Sequence, residues 1–331
     1  MSLKFEEILG QDDIKDYFKN AIKKEKLVHA YILNGDDGCG KMMLAETVAC
    51  ALLCEDGEGV ACGTCSSCHK VINHNHPDVI YVQHEKKDVI SVDEIRTQVI
   101  NTIIEKPYSA KHKVYIIPDA DKMNIFAQNA LLKTIEEPSD YAVIFLLTNN
   151  MNTLLQTILS RCVKISLKPV DDKVVTEYLM DKFQVPDFIA KEAAAFAQGN
   201  VGQAKALVVS EEFREERKAF VSMVNSISRS KGFELSVKAR EFVKEKKDVQ
   251  NLIKQFQVWF RDVLLYKATN DDSYLIYGSD LNSIREMASI SYGGIEHIFK
   301  ELDDANAKIS SNVNAEQVLS VLLIKIKEYM K

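Results

Sequence analysis

The apolar run Ala30-Tyr31-Ile32-Leu33 leads straight into Gly35-Asp36-Asp37-Gly38-Cys39-Gly40-Lys41-Met42. Behind it, Met42 to Leu53 carries helical periodicity. A buried strand, a glycine-rich turn and a helix in that order form a phosphate-binding loop, and only an α/β fold accommodates the unit. Glycines let backbone N–H groups converge on phosphate oxygens, and the helix start adds partial positive charge. Gly35, Gly38, Gly40 and Lys41 are therefore the nucleotide-binding candidates, with Lys41 directed at the terminal phosphates. The residue after the lysine is anomalous. A Ser or Thr hydroxyl normally holds Mg²⁺ there, whereas Met42 offers a thioether, a poor ligand for a hard cation. The loop can grip phosphate but is badly equipped for hydrolysis.

Further short apolar runs follow at Val79–Val82, Val114–Ile117, Val143–Leu147 and Val163–Leu167, with helical patterns between them such as Val92–Ile104 and Met123–Glu137. Continuously apolar strands alternating with helices predict a parallel sheet covered on both faces. Pro138 ends the second helix and Lys168-Pro169 marks a boundary. Residues 171–209 read as three short helices, with Pro186 placed to start one and Gly199 to end one. From residue 211 onward only helical periodicity remains, including a long amphipathic stretch from Phe233 to about Ala268. The 331 residues thus divide into an α/β domain at 1–168, a small helical lid at 169–209 and a helical collar at 210–331.

Cys54, Cys62, Cys65 and Cys68 follow the loop helix directly, and Cys62-Gly-Thr-Cys65-Ser-Ser-Cys68 holds two overlapping CxxC steps. A two-residue spacer lets both sulfurs face one ion, and Zn²⁺ favours a tetrahedral thiolate shell. Free thiols or disulfides are the alternative, the latter disfavoured in a reducing compartment. His69, His74 and His76 stand near enough to replace one sulfur, and Cys50, one helical turn before Cys54, is a rival ligand. A closed thiolate shell leaves no position for water, so the implied metal is structural.

Several stretches together resemble the AAA+ clamp-loader family of bacterial DNA polymerase III. They are Phe5…Ile8-Leu9-Gly10-Gln11, His29-Ala30-Tyr31-Ile32-Leu33 running into the loop, and the cysteine knuckle at 54–68. They continue with Asn129-Ala130-Leu131-Leu132-Lys133-Thr134-Ile135-Glu136-Glu137-Pro138, Thr148-Asn149-Asn150 and Leu154–Cys162, which ends Ser160-Arg161-Cys162. Trp259-Phe260-Arg261-Asp262-Val263-Leu264-Leu265 resembles the family's collar. The resemblance spans essentially the whole chain. It implies an AAA+ P-loop domain, a lid and an all-α collar within a DNA-directed DNA polymerase holoenzyme. The implied partners are tau/gamma ATPase subunits and delta, and through them the sliding clamp and primed DNA.

In the family's hydrolysing (tau/gamma) subunits a strand ends in Asp-Glu, for metal and water. Here Pro118 and Asp119 fall at those positions, and the lid's Gly-x-x-Arg sensor reads Gly199-Asn200-Val201-Gly202. Losses at Met42, Pro118 and Gly202 remove metal and cationic stabilisation from phosphoryl transfer. The resemblance then implies a structural subunit with no catalytic residue in cis and weak ATP or ADP binding at most. Arg161 is retained, and in this family it reaches a neighbour's phosphates. The plainer reading is that it neutralises the end of the helix Thr153–Ser160. Thr148 is a nucleotide-sensing candidate or a strand-end cap, and Glu136 and Glu137 read as solvated. The competing functional reading is an active tau/gamma-like ATPase with Mg²⁺ held through Asp119 or Asp121. A stand-alone DNA-binding module is disfavoured by the net charge of -6. No apolar run approaches a bilayer span, and Met-Ser-Leu-Lys-Phe-Glu-Glu lacks a signal peptide's apolar core, so a cytoplasmic protein without membrane contact is expected.

Overall fold

The computed structural model describes residues 3–330 except 58, 86–88, 246–247 and 312. Met1 and Ser2 of the leader reading, residue 58 of the cysteine insertion and Lys331 at the collar's end lie outside the described residues.

Five strands form one parallel sheet: β1 (Ala30–Asn34), β2 (Val79–Tyr81), β3 (Lys113–Ile117), β4 (Ala142–Thr148) and β5 (Val163–Ser166), in the order β2-β3-β4-β1-β5. The apolar runs of the central strands follow from both sheet faces being covered, whereas the edge strand β5, expected as continuously apolar, alternates, with Lys164 and Ser166 exposed. Tyr31, Leu33, Ile116 and Phe145 pack on one face, and Ile32, Tyr115, Ile144 and Leu146 on the other. The chain visits β1 and then the far edge, returns through β3 and β4, and crosses to β5 on β1's other side. Such a reversal leaves a crevice at the carboxyl ends of the strands. Register sharpens this: Asn34 lies beside Thr148 on one side and Ser166 on the other. This is the expected α/β fold, a parallel sheet whose first strand runs through a glycine-rich loop into a helix, with a cysteine cluster beside it.

Two helical expectations change. The helix over Val92–Ile104 starts in a capping box between Ser91 and Glu94, but its middle, Arg96–Ile100, is wound as a π-helix. The long stretch from Phe233 is two helices, Gly232–Lys244 and Val249–Thr269. Asp248 interrupts it: its carboxylate accepts the N–H groups of Gln250 (2.8 Å) and Asn251 (3.2 Å), starting a new helix. The charged run Lys244 to Asp248 interrupts the apolar periodicity at the break.

Residues 1–175 with 198–203 form one compact unit, and residues 176–197 with 204–331 form another. The second unit is helical. Its core holds Phe220, Phe256, Trp259, Phe260 and Tyr277, all buried, with the indole N–H of Trp259 3.2 Å from Met287 Sδ. The Trp259 stripe is core. Within this unit Arg217 Nε sits 2.6 Å from both oxygens of the fully buried Glu192, and Nη2 sits 2.6 Å from Asp280. Burial pushes the Glu192 carboxyl up to about 7, with Arg217 pulling against it. Among the described residues, no helix is long and apolar enough to cross a membrane.

Candidate functional site

The loop after β1 turns into the helix Lys41–Leu52, with Gly38 at φ +87° and Gly40 at φ +102°, conformations that strain any residue with a Cβ. Gly35 N–H donates to Thr148 O at 3.2 Å, so β1–β4 pairing brings the loop and Thr148 together. The remaining polar groups close on one another. Lys41 Nζ donates to Gly35 O, to Asp36 O at 3.1 Å and to Asn149 Oδ1 at 2.5 Å, with Asp37 at 3.7 Å. Asn149 is in turn anchored by its own N–H to Asp121 Oδ1 at 3.1 Å, and Thr148 Oγ1 donates to the same oxygen at 3.0 Å. Asp121 is thus occupied in holding Thr148 and Asn149. Asp119, in a left-handed conformation at φ +51°, pairs with Lys122 at 2.9 Å and with His84 at 3.6 Å. Met42 packs against the domain core.

Residues 199–203 press onto the loop's tip. Asn200 Nδ2 donates to Asp37 O at 2.7 Å, and Gly202 N–H donates to Gly38 O at 3.0 Å. A Cβ on Gly202 would stand 2.6 Å from Gly38 Cα and from its carbonyl oxygen. Glycine is required at 202 because two backbones touch there. Sequence reasoning marked only a missing arginine at this position. It missed Asn200, and no local signal identifies an asparagine whose partner lies more than 160 residues away.

Arg161 stands elsewhere. It precedes β5, whose first residue, Val163, is level with Tyr31 near the start of β1, whereas the loop leaves β1 at the opposite end. Four to five residues of strand rise, roughly 15 Å, separate the two levels. Arg161 Nη2 lies 2.9 Å from Glu136 Oε1, and Nη1 donates to Thr157 O at 3.1 Å. The helix-end hydrogen bond of the plainer reading is present, and Glu136 is an ion-pair partner rather than a merely solvated residue.

The four predicted cysteines converge. Cys54, Cys62, Cys65 and Cys68 place their sulfurs within 4.8 Å of one another, with Cys54–Cys65 at 4.0 Å and Cys62–Cys68 at 3.9 Å. Tetrahedral Zn–S bonds of about 2.3 Å imply sulfur separations of about 3.8 Å, so the set fits such an ion. These gaps are far too long for disulfides, and all four are free thiols. Backbone N–H groups aim at the sulfurs: Cys62 at Cys54 Sγ (3.3 Å), Thr64 and Cys65 at Cys62 Sγ (3.4 and 3.3 Å), and Cys68 at Cys65 Sγ (3.4 Å). The Thr64 N–H and hydroxyl and the Cys65 N–H draw the Cys62 thiol down to about 6. Such donors offset thiolate charge around a metal. Cys50 stays outside the set, its thiol pushed up to about 11 by burial. Two of the three rival histidines are engaged otherwise. His76 Nε2 meets Ser67 Oγ at 3.0 Å, Ser67 Oγ donates to Leu53 O at 2.6 Å, and His74 faces Glu46 at 3.4 Å.

A family model described as DNA polymerase III, delta subunit, matches residues 10–171. DNA polymerase III subunit delta' of Bacillus subtilis (strain 168) is 30% identical over 315 residues, covering 93% of this chain and 94% of that protein. The delta' subunit of Pseudomonas aeruginosa is 38% identical over 138 residues, 41% of this chain and 42% of that one. Subunit tau of Bacillus subtilis is 28% identical over 286 residues, 80% of this chain but 50% of the longer tau.

Proposed function

The chain belongs to the delta' family of DNA polymerase III clamp-loader subunits, and on that premise we propose that it is a non-hydrolysing subunit bracing an ATP-driven loader. Its partners in this reading are tau/gamma and delta subunits, with the sliding clamp and primed DNA engaged through the complex. The organisation we assign is an α/β domain at 1–168, a lid at 169–209 and a collar at 210–331, working in the cytoplasm.

One observation carries the inert-site reading: the two side chains that would serve a nucleotide, Lys41 and Thr148, are already bonded within the domain. Gly35, Gly38 and Gly40 shape a turn whose carbonyls bind Lys41, Asn200 and the Gly202 N–H. Thr148 is held by Asp121 and Lys41 by Asn149. ATP or ADP would have to break these contacts without a hydroxyl at position 42 to bring Mg²⁺, so binding is weak and turnover absent. An active ATPase would need Asp119 or Asp121 for the metal, and both carboxylates are committed. The cysteine shell holds a structural zinc that fixes the 54–68 insertion.

Arg161 acts in trans in this reading. It lies at the sheet end away from its own loop, so any phosphate it meets belongs to another subunit. The deciding experiment is a reconstituted loader carrying Lys41→Ala in this chain alone. Unchanged DNA-stimulated ATP turnover is expected, and a fall in proportion to one lost active site would overturn the inert-site reading.

A further inference from the structure

The helix Lys41–Leu52 ends just before Cys54, so the direction in which the chain leaves that helix decides where the Cys54 sulfur stands. Cys62, Cys65 and Cys68 are set by their two-residue spacers, but Cys54 lies 8 residues before Cys62 and has no such local constraint. Carbonyls at a helix end lack partners within the helix. Ser67, buried in the helix Ser66–Ile72 between Cys65 and Cys68, supplies one: its Oγ donates to Leu53 O at 2.6 Å. The Ser67 N–H also donates to Glu55 Oε1 at 3.1 Å. One serine thus ties down the residue on each side of Cys54. The hydroxyl is itself oriented. The Asp78 N–H donates to His76 Nδ1 at 3.1 Å, which places the proton of the buried imidazole on Nε2. Nε2–H then donates to Ser67 Oγ at 3.0 Å, and the hydroxyl's single proton goes to Leu53 O.

We infer that Ser67, oriented by His76, is the positioning residue for the fourth metal ligand: it holds Cys54 against the other three thiolates. The inference rests on the zinc reading of the cysteine cluster. Without the hydroxyl, Leu53 O loses its donor, the chain leaving the helix is freed, and Cys54 becomes the one loosely held ligand of the four. Groups that orient a metal's ligands typically change its affinity 10–100-fold when removed, although they never touch the ion. A hydroxyl that merely ended the helix would contribute to stability without favouring one cysteine over the others.

Zinc affinity of the full chain, measured by competition with a chromophoric chelator, tests this in a double-mutant cycle of Ser67→Ala and Cys54→Ser. Ser67→Ala should weaken zinc by about 10–100-fold. In the Cys54→Ser background, where the ligand it positions is gone, the same substitution should change affinity by less than about threefold. Iodoacetamide followed by peptide mapping gives a second readout. Among the four cysteines, zinc-loaded Ser67→Ala should be alkylated first at Cys54, because a thiolate released from the ion is the nucleophile. Glu55→Ala, at an exposed position, cuts the other tie and keeps the test open where Ser67→Ala does not fold. It too should weaken zinc in the parent background and not in the Cys54→Ser background. Zinc affinity indifferent to both substitutions, equal weakening in the two backgrounds, or alkylation that begins at Cys62, Cys65 or Cys68 would each overturn the inference. A parent chain that binds no zinc would overturn the zinc reading with it, whereas a zinc-binding parent with any of those three outcomes overturns the role of Ser67 alone.

Discussion

The guanidinium of Arg161 lies 2.9 Å from the carboxylate of Glu136, joining the residue before Cys162 to the last turn of the helix Ile125–Glu136. Both side chains are nearly half exposed, so the pair is worth at most about 1 kcal/mol. Arg161→Ala should therefore cost this chain only about 0–1 kcal/mol in thermal or denaturant unfolding and leave its assembly intact. In a reconstituted loader the same variant should slow DNA-stimulated ATP hydrolysis and impair clamp loading. Arginine fingers contribute roughly 10³–10⁵ in rate at a single site, diluted in the total by sites that keep theirs. Normal hydrolysis and loading by the mutant complex would leave Arg161 with its helix-end role alone.

The cysteine cluster makes the next expectation quantitative. Protein purified without added metal should carry about one zinc per chain by elemental analysis, since four thiolates complete one tetrahedral shell. Cys65→Ser removes a sulfur that also accepts the Cys68 N–H, so it should release the ion and loosen residues 54–68. The sheet should survive, because its core residues, Ile32, Ile116 and Phe145, belong to strands outside the insertion. Intact thiols with zinc far below stoichiometry would contradict the metal assignment.

How much of this was legible from residue order depends on the range of each interaction. The central strands were readable because a strand buried on both faces is apolar at every position, as in Val114–Ile117, whereas the edge strand Val163–Ser166 alternates, with Lys164 and Ser166 exposed. The cysteines were readable because their ligand geometry is written in two-residue spacers. Glu136 and Arg161 stand 25 residues apart and meet only because a helix and a strand approach end to end. Asn200 and Asp37 are joined by tertiary approach alone. Those two relationships depend on where backbones come to rest, which periodicity does not record.

Restoring the missing sensor arginine tests the contact between residues 199–203 and the loop. In Gly202→Arg the new Cβ would collide with the Gly38 backbone, so the segment must withdraw, losing the Asn200–Asp37 and Gly202–Gly38 hydrogen bonds. A loss of about 1–3 kcal/mol in stability is expected from such forced repacking. ATP hydrolysis should stay at background, because Met42 and Pro118 are unchanged. A variant as stable as the parent would show that the two backbones do not press together in solution.

Asp78 gives a prediction in pH. Its buried carboxylate accepts the N–H groups of Tyr108 (2.5 Å), Ser109 (2.9 Å) and Ala110 (3.0 Å) and the Ser109 hydroxyl (3.1 Å), pinning the turn that leads into β3. Burial alone would raise its pKa, but these four donors outweigh that and hold it below the ordinary aspartate value of 3.8. A depressed folded-state pKa means that the unfolded chain takes up the proton first. The contribution is therefore complete above the unfolded value near 4 and is lost as pH falls through the folded pKa. Asp78→Asn keeps the shape but replaces one acceptor oxygen with a donor amide facing the same N–H groups. It should cost about 1–3 kcal/mol at pH 7 and flatten the acid limb of the stability curve below pH 4. Urea unfolding of parent and variant at pH 7 and at pH 3 measures both effects. Equal losses at the two pH values would mean that the carboxylate's charge plays no part in holding the turn.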